Sequence, residues 1–247
     1  MRGLELMHQG FAARPFLRAA ELCFPAGSWT ALVGHSGTGK TSFLNALMAQ
    51  QDYGRAEVIL PAGPRPFYAC QTARTPDLTL KQLVAGSQDA DGFEDSEIAA
   101  VLVECGLGSP SFLRALHDKS CSGRPWDRAF SGGQKKRLIL AQLLLHRPQV
   151  ALLDEVTAGL DPQAQMDFYD TLKRACPGMT VISSIHNRAM PFLSDGRPVY
   201  DWIAEIDEGV ISLRRFRRGA QLHLADAAAI PLATHHRQEP ALNDHPN

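Results

Sequence analysis

The densest chemistry in this sequence lies in the run Gly34-His35-Ser36-Gly37-Thr38-Gly39-Lys40-Thr41-Ser42. It fits the pattern G-x-x-x-x-G-K-[ST], which is built to hold phosphate. The glycines let successive backbone N–H groups wrap a triphosphate, Lys40 reaches the β- and γ-oxygens, and the Thr41 hydroxyl holds Mg²⁺. Asp154 ends the apolar run VALLD and supplies the acid that organises the metal through coordinated water. Glu155 follows it. Strand alternation turns Glu155 away from Asp154 toward the terminal phosphate, where it can polarise an attacking water. Gln71 follows FYAC and His186 follows VISSI, each just past an apolar run. The expected roles are a metal or water contact for Gln71 and a γ-phosphate hydrogen bond for His186. Without the phosphate loop, the Asp-Glu pair would read as a solvated turn and His186 as a satisfied core histidine. With it, the set reads as a Mg²⁺-dependent nucleoside triphosphatase. Lys40, Glu155 and His186 are its catalytic groups, and Thr41, Gln71 and Asp154 its metal side.

A second glycine-rich loop complicates that picture. In FSGGQKKR, Phe130 to Arg137, Ser131 is placed to cap a helix, and Gly132 and Gly133 let backbone N–H groups approach an anion. Lys135, Lys136 and Arg137 stand in the first turn, against the preference set by the helix dipole. A solvated basic turn is the plain reading. A nearby anion or acidic partner is the functional one. One chain holding one nucleotide has no use for two phosphate loops, but a second copy of the domain could bring the other nucleotide.

The elements that must position these residues follow from the hydrophobic pattern. TALVG, VALLD and TVISS are short apolar runs that read as buried strands. TSFLNALMA and DPQAQMDFYDTLKRA between them have helical spacing, with Pro162 in the first turn of the second. Strands alternating with helices predict an α/β fold with a mostly parallel sheet. ELCF and AEVIL are expected as antiparallel strands at its edge. From Thr79 to Leu145 the pattern is nearly all helical, which predicts a helical subdomain inserted in the core.

Composition limits the alternatives. A chain of 247 residues with net charge −1 can bury a large core and has no bulk charge to attract nucleic acid. The basic run RRFRR, Arg214 to Arg218, reads as a solvated boundary before a tail. The tail is rich in Ala, His and Pro, and its adjacent His235 and His236 cannot share a face of one regular element. No stretch reaches about 18 apolar residues and no apolar signal core follows Met1, so neither a membrane span nor a secreted protein is expected. Five scattered cysteines without C-x-x-C fit buried thiols in a reducing compartment.

In chain order, GHSGTGKTS, Gln71, FSGGQ, VALLDE, AGLD and His186 resemble an ATP-binding cassette (ABC) ATPase over nearly all of residues 1–213. That resemblance implies a P-loop NTPase with a RecA-like core (1–75 and 146–213), an antiparallel β edge, a helical subdomain (76–145), and a flexible tail at 214–247. It also implies ATP and Mg²⁺ as cofactors and two cassettes packed head to tail, as a homo- or heterodimer. Ser131, Gly132, Gly133 and Gln134 would then clasp the γ-phosphate held by the partner, and Asp161 of AGLD would lie at the seam. The implied function is an energy-coupling ATPase on the cytoplasmic face of a membrane, partnered by separate membrane-spanning subunits and not by nucleic acid. His35 stands where the family often has proline, Phe130 where it has leucine, and Val156 where proline or alanine is common. Phe11 is placed either to stack on adenine or as an ordinary core residue.

A finer similarity links ILPAGPRPFYACQ, LTLKQLV, PWDRAFSGGQ and PGMTVISSIHNR to the cassettes of peroxisomal-type fatty-acyl half-transporters and their bacterial relatives. Those normally carry membrane helices on the same chain, so this sequence is expected to be either a separate subunit whose membrane partner is another polypeptide or a cassette cut from its neighbour. Rival readings remain. A soluble ABC ATPase acting on DNA or ribosomes would need long heptad insertions or a second cassette, and neither is present. A small-molecule kinase would leave FSGGQ and AGLD without a purpose. A non-hydrolysing regulatory cassette conflicts with intact Lys40, Asp154, Glu155 and His186.

Overall fold

The computed structural model describes residues 1–6, 15–48, 54–60, 65–70, 75–185 and 190–217. The front of the chain gives β1 (Arg2–Leu6), β2 (Leu17–Glu21), β3 (Trp29–Val33), α1 (Lys40–Leu47), β4 (Gly54–Glu57) and β5 (Phe67–Cys70). The middle gives α2 (Leu80–Ala85), α3 (Asp95–Glu104), α4 (Pro110–Arg114), β6 (Ser120–Cys121), β7 (Arg124–Pro125), α5 (Trp126–Ala129) and α6 (Gly132–His146). The rest gives β8 (Val150–Asp154), α7 (Pro162–Ala175), β9 (Thr180–Ser184), β10 (Trp202–Asp207) and β11 (Val210–Arg215).

Among the described residues the main sheet has nine strands, in the order β4-β1-β2-β11-β10-β3-β9-β8-β5. From β10 to β5 the strands run parallel. β11 folds back on β10, and β1 pairs antiparallel with both β2 and β4. The three runs read as buried strands are β3, β8 and β9, and β3 and β9 are buried at every residue. Helices cover both faces, which is why these strands show no in-and-out alternation of burial. On one face α1 packs Phe43, Leu44 and Leu47 against Leu32, Leu152 and Ile182. On the other, α6 and α7 bring Leu140, Leu144 and Tyr169 into a cluster with Ala31, Leu153 and Val181. Parallel strands place all their carboxyl ends on one edge, where open α/β sheets bind ligands.

The antiparallel edge differs from the expectation in detail. Of ELCF, only Glu21 lies in a strand. β2 begins earlier, at Leu17, and Leu22 leaves it with its N–H on the Met1 carbonyl at 2.9 Å. Of AEVIL, only Ala56 and Glu57 belong to β4. β1 and the β10–β11 hairpin escape the sequence reading altogether. The start of the basic run is also not a solvated boundary. Arg214 and Arg215 lie in β11, and Arg214 approaches the half-buried Glu205 of β10 at 3.7 Å. The sheet therefore continues past residue 213.

Among the described residues between β5 and β8 the regular elements are helices, apart from the short β6–β7 ribbon. α2 opens with a capping box, in which Thr79 Oγ1 accepts from the Gln82 N–H, and closes on Gly86 in the left-handed region. Among the described residues no helix is long and apolar enough to cross a membrane. Residues 218–247, including the paired histidines, lie outside the described residues.

Candidate nucleotide site

The phosphate loop leaves β3 and turns into α1 through Gly39, which N-caps the helix at φ 98°. A left-handed backbone there disfavours any residue with a side chain, and a second constraint agrees. A Cβ on Gly39 would sit 2.6 Å from Cε2 of Phe16. Gly34 is equally confined, since its Cβ would lie 2.7 Å from Thr38 Oγ1. The Thr38 hydroxyl donates to the His35 carbonyl at 2.9 Å, which closes the turn. Lys40 is 9% exposed, and its Nζ donates to the Gly34 and His35 carbonyls at 2.9 and 3.1 Å. The ammonium therefore lies within the curl of the loop, beside the helix N-terminus where an anion is favoured. Ser36 and Gly37 are exposed at the tip, and Ser42 lies on α1.

Asp154 ends β8 at the same edge. Its Oδ2 accepts from Thr41 Oγ1 at 2.6 Å, so the last residue type of the phosphate motif meets the expected acid directly. A hydroxyl and a carboxylate converging in this way form the hard-oxygen donor set that suits Mg²⁺. The other oxygen, Oδ1, accepts from Ser184 Oγ at 2.5 Å. Asp154 pairs with Cys70 of β5 on one side and Ser184 of β9 on the other. Burial, with the negative charge of Asp154 nearby, pushes the Tyr68 hydroxyl up to about 12. Glu155 is half-buried at φ 52°, and its N–H donates to Ser184 Oγ at 3.0 Å.

The second loop forms the N-terminus of α6 in the manner expected of Ser131. Ser131 Oγ accepts from the Gln134 N–H at 3.2 Å, and Gln134 Oε1 accepts from the Ser131 N–H at 2.8 Å. Gly132 faces open space. The departure from leucine at Phe130 has a packing cause: its ring stacks on Trp126 at 5.1 Å and meets Phe112 edge-on at 5.4 Å. Two of the three basic residues in this turn have local partners. Lys135 pairs with Asp127 at 2.7 Å, and Arg137 donates to the Gly106 carbonyl at 3.4 Å. Burial lowers the Lys136 ammonium from its ordinary value, and its Nζ lies beside Gly159 of AGLD, which it would touch at 3.9 Å if that glycine carried a Cβ. AGLD and SGGQ therefore adjoin within one chain. Asp161 caps α7 by accepting from the Ala164 N–H at 2.9 Å, a structural task that its motif position does not reveal.

The structure thus brings together Gly34 to Ser42, Asp154 and Glu155, and separately groups Ser131 to Gln134 with the AGLD turn. Gln71, His186 and Phe11 lie outside the described residues. Two residues escape the sequence reading. Phe16 walls the start of α1, and Ser184 joins Asp154 to Glu155. The signal for Ser184 was available, as a hydroxyl closing a buried strand beside the one that ends in Asp154. Phe16 carries no comparable pattern.

Comparison with known proteins agrees with this geometry. Residues 17–158 match the family described as ABC transporter. The aliphatic sulfonates import ATP-binding protein SsuB of Pseudomonas putida is 31% identical over 229 residues, covering 86% of this chain and 77% of that protein. Its namesake in Shigella flexneri is 30% identical over 244 residues, covering 92% and 87%. An uncharacterized ABC transporter ATP-binding protein of Haemophilus influenzae is 28% identical over 177 residues, and there the chain spans 29% of the longer protein. Among solved structures, a bacterial Atm1-family ABC exporter with ATP bound shares the fold at a TM-score of 0.63 and 23% identity. The match covers 84% of this chain and 36% of that one.

Proposed function

Because this chain belongs to the ABC transporter family, we propose that it is the ATP-binding and ATP-hydrolysing subunit of a membrane transporter. The observation that carries the reading is the 2.6 Å hydrogen bond between Thr41 and Asp154. It ties the phosphate loop to the acid across the intervening strand β9. The relatives described above are named as transporter proteins, which favours this reading over one centred on DNA or ribosomes.

ATP would lie along Gly34 to Ser42, with the α1 N-terminus and Lys40 meeting its phosphates. Thr41 and Asp154 would hold Mg²⁺, with Gln71 as the third group that the sequence offers. When bound, the ion neutralises charge on the phosphoryl oxygens. Glu155 is the base toward the attacking water, and His186 supports the γ-phosphate. Most of the rate enhancement then comes from positioning and fixed charge rather than covalent chemistry.

Ser131 to Gln134 open α6 on the helical insertion, and their free face has no role in the chain's own phosphate loop. We place them on the ATP of a second cassette, head to tail, with the adjoining AGLD turn and Asp161 at the seam. Separate membrane-spanning subunits would receive the motion from the cytoplasmic side. The test is Mg²⁺-dependent phosphate release by the purified chain, together with identification of polypeptides that leave the membrane with it. Wild type should hydrolyse ATP, Lys40→Ala should not, and a multi-span protein should accompany both. Equal turnover by the two chains, or co-purification with ribosomes alone, would contradict the reading.

A further inference from the structure

We infer that Ser184 is a positioning residue which sets Asp154 and Glu155 together through one hydroxyl, an inference that rests on the ATPase reading above. Ser184 ends β9, the strand lying between β3, which feeds the phosphate loop, and β8, which ends in Asp154. It is 1% exposed, so water does not compete for its hydrogen bonds. A serine hydroxyl has one proton to give and lone pairs to accept with. Here the proton goes to Asp154 Oδ1 at 2.5 Å, and a lone pair takes the Glu155 N–H at 3.0 Å.

Each bond has a consequence for the site. With Oδ1 held by Ser184, Oδ2 is the oxygen turned to Thr41 Oγ1. The carboxylate plane on the metal side is therefore fixed from behind. The second bond acts on the backbone. Glu155 sits at φ 52°, in a region that residues with side chains seldom adopt. Two hydrogen bonds keep it there: its own N–H to Ser184, and the Ala158 N–H to its carbonyl at 3.0 Å. The turn is also braced on its far side. Thr157 Oγ1 meets Tyr169 OH at 3.0 Å, and Tyr169 OH meets the Tyr200 hydroxyl at 2.9 Å. Both rings are fully buried. The turn that carries the base is thus held at one end by Ser184 and at the other by tyrosine, and of these two supports Ser184 is the one bonded to the metal-side carboxylate.

The test compares Ser184→Ala with Ser184→Thr in the full chain. The alanine variant should lose turnover on the order of 10–100-fold, the usual effect of removing a partner behind a metal ligand. The KM for ATP at saturating Mg²⁺ should rise only by the share of Mg²⁺-dependent affinity that is lost, because the phosphate loop itself is untouched. Ser184→Thr keeps the hydroxyl and should recover most of the rate. A readout independent of turnover is equilibrium binding of a fluorescent ATP analogue with and without Mg²⁺. In Ser184→Ala the affinity gained on adding Mg²⁺ should shrink, while the metal-free affinity stays at the wild-type value. Unchanged turnover in Ser184→Ala, an undiminished Mg²⁺ gain alongside a lowered melting temperature, or no recovery in a natively melting Ser184→Thr would each overturn the assignment. If wild type and Lys40→Ala are equally inactive, the ATPase reading falls and takes this role with it. A normally active wild type beside an unaltered Ser184→Ala removes this role alone.

Discussion

Substituting Glu155 separates its chemical task from its backbone task, and the two should move in opposite directions. At φ 52°, a residue with a side chain bears a cost of about 1–2 kcal/mol. Glycine removes that cost but gives back roughly 0.5–1 kcal/mol through the greater freedom of the unfolded chain. Glu155→Gly should therefore be more stable than wild type by up to roughly 1.5 kcal/mol. In a protein of this size that raises the melting temperature by up to about 6 °C. The backbone N–H to Ser184 and the carbonyl to Ala158 do not involve the side chain and should survive. Hydrolysis should fall by roughly 10²–10⁴-fold, as expected when a general base is lost. That corresponds to about 3–5 kcal/mol of barrier. Glu155→Gln is the control: it keeps the strain and the shape, so it should lose the rate without gaining stability. Phosphate release at saturating Mg²⁺ and ATP, paired with thermal melts in the absence of nucleotide, measures both. If Glu155→Gln turns over like wild type, the base is wrongly assigned. A Glu155→Gly chain melting several degrees below wild type would refute the strain argument.

Other consequences can be checked with simpler measurements. Phe130→Leu restores the residue usual for the family but breaks the ring contacts with Trp126 and Phe112. At about 0.5–1.5 kcal/mol per aromatic pair, its denaturant midpoint should fall, while ATP turnover per folded molecule should hold; an unchanged midpoint would contradict the packing account. High pH should also destabilise the fold. Burial pushes the Cys105 thiol to about 12 from its ordinary 9.0, so the unfolded chain loses that proton first. The contribution is complete below pH 9 and drains away as pH rises toward 12. Cys105→Ala should flatten that part of the stability curve, and an unaltered slope would show that the thiol is not held neutral.

How much was legible in the sequence depended on whether a residue acts locally. Gly34 to Thr41, the Asp154 strand end and the Ser131 cap are each written in a few adjacent positions, because a tight turn or a helix start is a local event. β1 and the β10–β11 hairpin leave no clear local signature. Glu208 and Gly209, at φ 46° and 76°, make the two-residue turn, and Glu-Gly is not among the Asn-Gly, Asp-Gly or Gly-Gly pairs that announce one. ELCF was misplaced because its burial comes from packing after the strand has ended, where Leu22 joins the α1 core. Ser184 and Phe16 act across elements, over 30 residues between Ser184 and Asp154, and no local pattern announces such a partner. The basic turn of α6 drew attention for a reason that proved largely structural, since Lys135 and Arg137 have partners inside the chain.

The central claim is that each chain carries two half-sites and completes them on a neighbour. It is tested most directly by mixing two inactive chains, Lys40→Ala and Ser131→Arg. In a mixed head-to-tail pair, one composite site combines both defects and the other combines neither. An equimolar mixture should therefore recover about a quarter of the wild-type ATPase rate, from one good site in half of the dimers. If the mixture stays as inactive as either variant alone while forming mixed dimers, the two loops do not serve one nucleotide across the interface.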